Sequence, residues 1–342
     1  MIDLELMERL SRALRPDARL VLLGDADQLP SVDAGAVFRE LAPRGIRLVR
    51  SHRQDPSAPA GASVLAAARA VHTGAVPEAA PRARPADLAW SGFELLAPAS
   101  ASRAVERRLV AAFAEQWVRD RVLALPDFAE LAGRAYRLGD ASAPFDAADA
   151  AALHRLVRHH GSLRVLAVTR EAGAATSAES LNDLLARRAA EAQGVSVDAA
   201  APAAGTPVMM IRNDYDRGLF NGDQGVVVRA APAGEAPRLT AVFPRHDGLV
   251  AFPYEGLRDD LRVAYATTVH KAQGAELDHV ALVLPERDVP LLSRELLYTA
   301  LTRARHSAVV VGRAELLALA VERPLARASG LAARLDALLA AG

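Results

Sequence analysis

A chain of 342 residues, 51% hydrophobic and 24% charged, is long enough for two domains and apolar enough to bury real cores, which excludes a disordered polymer. Its 41 basic and 41 acidic side chains cancel, so no global field attracts nucleic acid and any such contact must be a local stripe. The absence of cysteine excludes a disulfide framework or thiolate metal site, and with no signal-peptide layout and no membrane-length apolar run the chain reads as cytoplasmic, with no membrane partner.

Leu4, Met7, Leu10 and Leu14 keep helical spacing until Pro16-Asp17 ends the run, and Arg19 to Gly24 then reads as a buried strand. Ile46 to Arg50 is a second expected strand, Ser63 to His72 a helix, and Pro77 to Pro85 a surface linker. Phe93 to Ala97 reads as strand, and Arg103 to Leu123 as a helix with Val105, Leu109, Phe113 and Trp117 on one stripe. Ala147 to His160 repeats that pattern and stops at Gly161, a candidate C-cap, before the strand run Leu163 to Thr169 and the helix Glu179 to Gln193.

From Pro207 the texture changes. Val208 to Ile211, Gly225 to Arg229, Leu239 to Phe243 and Leu249 to Phe252 are short strand runs, with a turn signal at Asn221-Gly222-Asp223, and together they suggest a small barrel inserted into an α/β domain. Leu261 to Thr267 should resume the main sheet, joined by His279 to Leu284 and Ala308 to Gly312, with Arg294 to Arg305 on a helix between them. Alternating strands and helices imply a mainly parallel sheet. Leu331, Leu335, Leu338 and Leu339 share one face of a terminal helix that either packs or docks.

Four stretches carry chemistry. Gly24 to Val32 follows a strand, where an open α/β sheet places its ligand crevice; Gln28 offers an amide able to sense a terminal phosphate or attacking water, and Asp25 can orient it. The bland reading is a strand-exit turn closed by Pro30. Arg53, in Ser51-His52-Arg53, is either a stabiliser of phosphoryl charge or a surface ion-pair partner. Thr267-Thr-Val-His-Lys-Ala-Gln-Gly274 reads as following a strand and opening a helix, so hydroxyls, amides and a helix N-terminus suit phosphate, here a DNA backbone; Gly274 would permit close approach, and Glu276 could accept from a ribose hydroxyl. Arg303 and Arg305 lie in Leu297 to Arg305, either as an arginine finger with a supporting ion pair or as a basic helix face. No metal site is expected: the Asn213 to Asp223 hairpin lacks the glycine spacing and final glutamate of a calcium loop, and His159-His160 lacks partner ligands.

The order of these stretches, with Gly218-Leu-Phe-Asn-Gly-Asp223, Thr268-Val-His-Lys-Ala-Gln-Gly-Ala-Glu276 and Leu297-Tyr-Thr-Ala-Leu-Thr-Arg-Ala-Arg305, resembles the RecD family of superfamily 1B helicases, the alpha subunits of RecBCD-type complexes (exodeoxyribonuclease V), over nearly the whole chain. The resemblance implies an ATP-dependent 5′→3′ DNA helicase of double-strand-break repair and recombination. Its fold would be α/β, with RecA-like parallel sheets and an SH3-like barrel inserted in the second. Residues 1–45 would be the remnant of a first RecA-like domain, 46–206 and 261–342 the second, and 207–260 the barrel.

By matched position, Gln28, Arg53 and Arg303 become γ-phosphate sensors, Glu276 a ribose contact, and Thr268 and His270 DNA contacts; Asp25 and Gly274 are expected beside the nucleotide and Lys271 beside the DNA. ATP and Mg2+ are the implied cofactors. Single-stranded DNA or a duplex end and RecB-like and RecC-like subunits are the implied partners. The departure is that no G-x-x-x-x-G-K-[ST] loop occurs, and the magnesium carboxylates would precede Met1. Met1 is therefore expected to be a mis-assigned start, a fragment boundary or the start of a decayed gene. The alternative function is a non-catalytic DNA-binding or subunit-docking module with no ATP turnover.

Overall fold

The structure, a computed structural model, describes residues 2–31, 35–48, 51, 53–140, 144–171, 173–195, 201–246, 248–325 and 329–341. Val32, Val49, Arg50 and His52, which belong to stretches singled out above, lie outside these residues, as do the side chains of Leu338 and Leu339. Helices α1 (Leu4–Ala13) and α2 (Val37–Leu41) come first, with Asp3 capping α1 through the Leu6 amide at 2.7 Å. Then follow α3 (Pro59–Thr73), β1 (Gly92–Leu96), α4 (Arg103–Trp117), α5 (Phe128–Gly133), β2 (Ala135–Leu138), α6 (Ala147–Gly161), β3 (Leu163–Ala167) and α7 (Ala178–Ala192). A run of strands comes next: β4 (Pro207–Met210), β5 (Gln224–Pro232), β6 (Arg238–Arg245), β7 (Gly248–Pro253), β8 (Leu261–Val263), β9 (Ala266–Thr268) and β10 (Leu277–Val283). The chain closes with α8 (Arg294–Leu301), β11 (Ala304–Val311), α9 (Ala314–Glu322) and α10 (Leu331–Ala341).

Two sheets organise the molecule. The first runs β1-β11-β10-β3-β9 and is parallel at every pairing, as the alternation of strands and helices predicts. Along β10 and β11, Ala281, Val283, Val309 and Val311 face a core shared with α4, α6 and α7, while Val280, Leu282, Ala308 and Val310 face one shared with α3, α8 and α9. Both faces are covered, which is why these strands read as nearly continuous apolar runs. The second sheet runs β7-β6-β5-β4-β8 in antiparallel order, with β2 parallel to β5. Val227, Ala241 and Phe243 build its own small core; Val226, Val228 and Val242, one residue out of phase, pack on the core of the first sheet.

The sheets are joined by buried polar contacts. Arg164 on β3, 4% exposed, donates to the Ala264 carbonyl and to the Gln224 amide oxygen of the second sheet. His160 at the end of α6 reaches the Gly205 carbonyl at 2.9 Å. A buried cation bonded to neutral oxygens is costly to misplace, so these contacts pin the angle between the sheets.

Several expectations change in three dimensions. Arg19 to Gly24 forms no strand, and Leu20, Val21 and Leu23 are 42%, 77% and 90% exposed; Ile46 and Leu48 are 96% and 88% exposed. A strand exists only through its neighbour's hydrogen bonds, and none lies beside these segments among the described residues. Leu261 to Thr267 divides: β8 pairs with β4 in the second sheet, and β9 alone joins the first. The Arg294 to Arg305 helix stops at Leu301, where the Thr302 hydroxyl bonds to the Tyr298 carbonyl at 2.8 Å, so Arg303 sits in a turn and Arg305 on β11. Ser162, not Gly161, caps α6, its hydroxyl reaching the His159 carbonyl at 2.8 Å. The Pro77 to Pro85 linker is pinned to β1 where the Arg82 amide donates to Leu95 at 2.8 Å.

Candidate functional site

The first cluster forms at the amino ends of β10 and β11. Asp25 accepts from the Gln28 amide at 2.8 Å and from the Asp27 backbone at 3.0 Å, fixing the loop's shape. That loop is tied to the sheet domain by the Leu29 amide, which donates to the Thr299 hydroxyl at 2.8 Å, and by Gln273, which donates to the Leu29 carbonyl at 2.6 Å. Gln54, 3% exposed, donates to the Ala304 carbonyl at 2.8 Å and so anchors Arg53 beside β11. Arg53 donates to the Thr302 carbonyl at 2.6 Å and pairs with Glu276 at 3.2 Å. Asp25 and Gln28 also line a cavity of about 530 Å³ whose other walls include Leu20 to Gly24, Phe38 and Gln273.

Arg303 is 1% exposed and turned inward. Its guanidinium donates to the Thr299 and Ala275 carbonyls at 3.0 and 3.4 Å and to the Thr302 hydroxyl at 3.3 Å, all neutral oxygens. Burial, and then the like charge of Arg53, push it down to about 10, while Asp25 opposes them. Arg305 pairs with Glu276, and this bond, with help from Arg53, holds the Glu276 carboxylate below its usual range. Glu276 is thus already engaged by two guanidiniums, which differs from a free ribose acceptor. Three guanidiniums and two carboxylates meet here, and the Arg53 Nε is buried without a partner. An anionic oxygen group would complete such a set.

The second cluster lies at the other end of the first sheet, because Thr268 closes β9 and the following residues carry the chain back to the start of β10. Val269 to Gly274 form successive turns, with Ala272, Gln273 and Ala275 amides bonding three residues back, and no helix opens there. Gly274 ends the run at φ +83, a conformation that glycine favours. No protein atom lies within 4 Å of where a Gly274 side chain would begin, so within the chain it is the backbone conformation that calls for glycine. The helix-terminus contribution to phosphate binding is therefore withdrawn; hydroxyls and cations remain.

Those groups surround a cavity of about 170 Å³ between the two sheets, lined by Arg170, Asn182, Thr267, Thr268 and Lys271 on one side and Met209, Ile211 and Arg262 on the other. Thr267 is 9% exposed and its hydroxyl has no partner. Surrounding protein, then the charge of Arg170, lowers the Lys271 ammonium from its ordinary value. His270 is half-buried in the same run. Glu179 and Asp183 also reach the cavity, leaving three cations against two carboxylates.

Arg170, Asn182 and Arg262 are absent from the residues singled out by sequence. Asn182 had a readable signal: it falls on the α7 stripe of Ala178, Leu181, Leu185 and Ala189, a polar residue on an apolar face. Elsewhere, His159 and His160 turn their ring nitrogens to the Val122 and Gly205 carbonyls at 2.8 and 2.9 Å, and Asp214 holds Arg217 within the hairpin.

Residues 263–311 match the UvrD-like helicase C-terminal domain, and residues 1–86 match an AAA domain. The RecBCD enzyme subunit RecD of Mycolicibacterium smegmatis is 35% identical over 98% of this chain and 52% of its own length. The ATP-dependent RecD2 DNA helicase of Deinococcus radiodurans is 32% identical over 93% of this chain and 36% of its own length. The chain thus spans about half the length of the first of these relatives, or less. Among solved structures, a Pif1 helicase from Bacteroides in complex with ADP-AlF3 and ssDNA aligns over 93% of this chain and 66% of its own, at 15% identity and a TM-score of 0.38, too slight a likeness to place any residue.

Proposed function

We infer that this chain, a member of the RecD family, is the part of an ATP-driven 5′→3′ DNA helicase that closes over the nucleotide and grips the DNA backbone. The observation that carries the reading is the meeting of Arg53, Arg303, Arg305 and Glu276 with the Asp25–Gln28 loop, a charge arrangement suited to a transferring phosphoryl group. Arg53 and Arg303 would stabilise its charge, Gln28 held by Asp25 would sense it, and Arg305 would keep Glu276 in place. Mg2+ would accompany the nucleotide. The exposed apolar runs at Leu20 to Leu23 and Ile46 to Leu48 support a sheet completed by strands supplied from elsewhere. The antiparallel order of the second sheet supports reading it as the family's SH3-like barrel, and the inter-sheet cavity lined by Thr268 and Lys271, with His270 between them in sequence, would take the DNA backbone. RecB-like and RecC-like subunits are the proposed partners, and a cytoplasmic setting fits that assembly. No helix among the described residues is long and apolar enough to cross a membrane.

Two outcomes test this reading on the chain itself. Purified protein should show no measurable ATP hydrolysis with or without DNA, because the sequence holds no phosphate-cradling glycine-rich loop. Turnover on the order of 1 to 100 per second would sink that expectation. The chain should still bind single-stranded DNA weakly and without sequence preference, and Thr268→Ala should lower both affinity and the steepness of its salt dependence, by about 0.7 in log-log slope for every DNA phosphate the protein no longer holds. No binding at low salt, or an unaltered Thr268→Ala titration, would remove the DNA role from this segment.

A further inference from the structure

β9 is only three residues long and lies at the margin of the first sheet, so β3 supports one side of it and, among the described residues, no strand supports the other. On that open side stands the carboxamide of Asn182. Its Nδ2 donates to the Ala266 carbonyl at 2.9 Å, and its Oδ1 accepts from the Ala266 amide at 2.7 Å. One side chain thus satisfies the outward donor and acceptor of the same residue, as a neighbouring strand would. The two bonds also fix which way the amide is turned, since donor and acceptor cannot exchange.

We propose that Asn182 is a positioning residue for DNA-backbone binding: it stands in for a missing edge strand and locks β9, so that Thr268 and the Lys271 turn that follows it hold their places on the inter-sheet cavity. This rests on the reading of that cavity as a DNA site. Three features carry it. α7 is held rigidly, with Leu181 and Leu185 in the core and the Ser177 hydroxyl capping its start through the Ser180 amide at 3.2 Å. Asn182 itself lines the cavity beside Arg170 and Lys271. Thr268 and Lys271 border the same cavity and the Lys271 amide donates to the Thr268 hydroxyl at 3.5 Å, so a small rotation of β9 would displace both. An unpaired three-residue edge, left to exchange its outward bonds with water, would sample such rotations freely.

The test uses the 342-residue chain with an oligothymidylate probe across salt concentrations, and amide hydrogen exchange over residues 266–270. Asn182→Ala should weaken binding about tenfold, the loss of roughly 1.4 kcal/mol expected from two ordinary hydrogen bonds. Asn182→Asp, of equal size, should weaken it further, because a carboxylate faces the Ala266 carbonyl and adds negative charge to the cavity. Both variants should lower the salt slope, which a purely global loss of stability would not do, and should speed exchange at Ala266. Combined with Thr268→Ala, the Asn182→Ala loss should be less than multiplicative, since both act through one contact. Unchanged affinity, an unchanged slope, or fully independent losses would overturn the proposal. If the wild-type chain binds no DNA, the functional reading fails along with the binding role, while unaltered exchange at residues 266–270 in Asn182→Ala would separately overturn the clamp.

Discussion

Arg303→Ala, made in a polypeptide that joins this chain to a phosphate-binding half, should lower DNA-stimulated ATP hydrolysis by about a thousandfold or more while leaving DNA affinity nearly intact. Arg303 is buried, its hydrogen bonds go to neutral oxygens, and its nearest charged influences are Arg53, which opposes its protonated form, and Asp25, which favours it. Two guanidiniums held near each other are relieved when an anion comes between them, and more so as negative charge grows in the transition state. The inward position means that the side chain also ties the end of α8 to Ala275. A thermal midpoint and an Arg303→Lys variant therefore belong with the assay. Lysine keeps the charge but loses the fork, and should recover only a small part of the rate. Equal loss of DNA binding would make Arg303 a backbone contact; unchanged turnover would reduce it to a structural cation.

Acidification should destabilise the fold well before its carboxylates titrate. His160 is 5% exposed and donates to the Gly205 carbonyl, and burial, then the charge of His159, push it from 6.5 down to about 3. Burial, then Arg121, likewise takes His279 down to about 4. Because both folded values lie below the unfolded one, the unfolded chain binds protons first. The stability these residues contribute is complete above about pH 6.5 and is lost as pH falls toward the folded values. For His160 alone the loss between about pH 6.5 and 4.5 is roughly 2 kcal/mol. Urea midpoints taken across that range should fall steadily, and His160→Gln, which keeps an N–H for Gly205, should flatten the decline by about one proton. A level profile from pH 7 to 5, or an unaltered slope in His160→Gln, would show that the buried ring accepts its proton in place.

The parallel sheet, the helices α3, α4, α6 and α7 and the antiparallel run from β4 to β7 were legible in the amino-acid order. Periods of 3.6 and 2 are local properties, and both faces of β10 and β11 are apolar because both are covered. The residues of the cluster around Glu276 were legible too, since Gln28, Arg53 and Arg303 each stand in a short run of neighbouring residues. What the order of residues could not reveal was pairing. Arg19 to Gly24 reads as a strand wherever it is placed, yet stays unpaired because strands are made by neighbours far away in the chain. Leu261 to Val263 and Ala266 to Thr268 look like one strand, and only the competition between β4 and β3 for their hydrogen bonds sends them to different sheets. The inward turn of Arg303 and the clamp of Asn182 on Ala266 belong to the same class. Each depends on which backbone groups are left open once the sheets have formed, and that is settled by contacts 28 and 84 residues apart rather than by any neighbour in sequence.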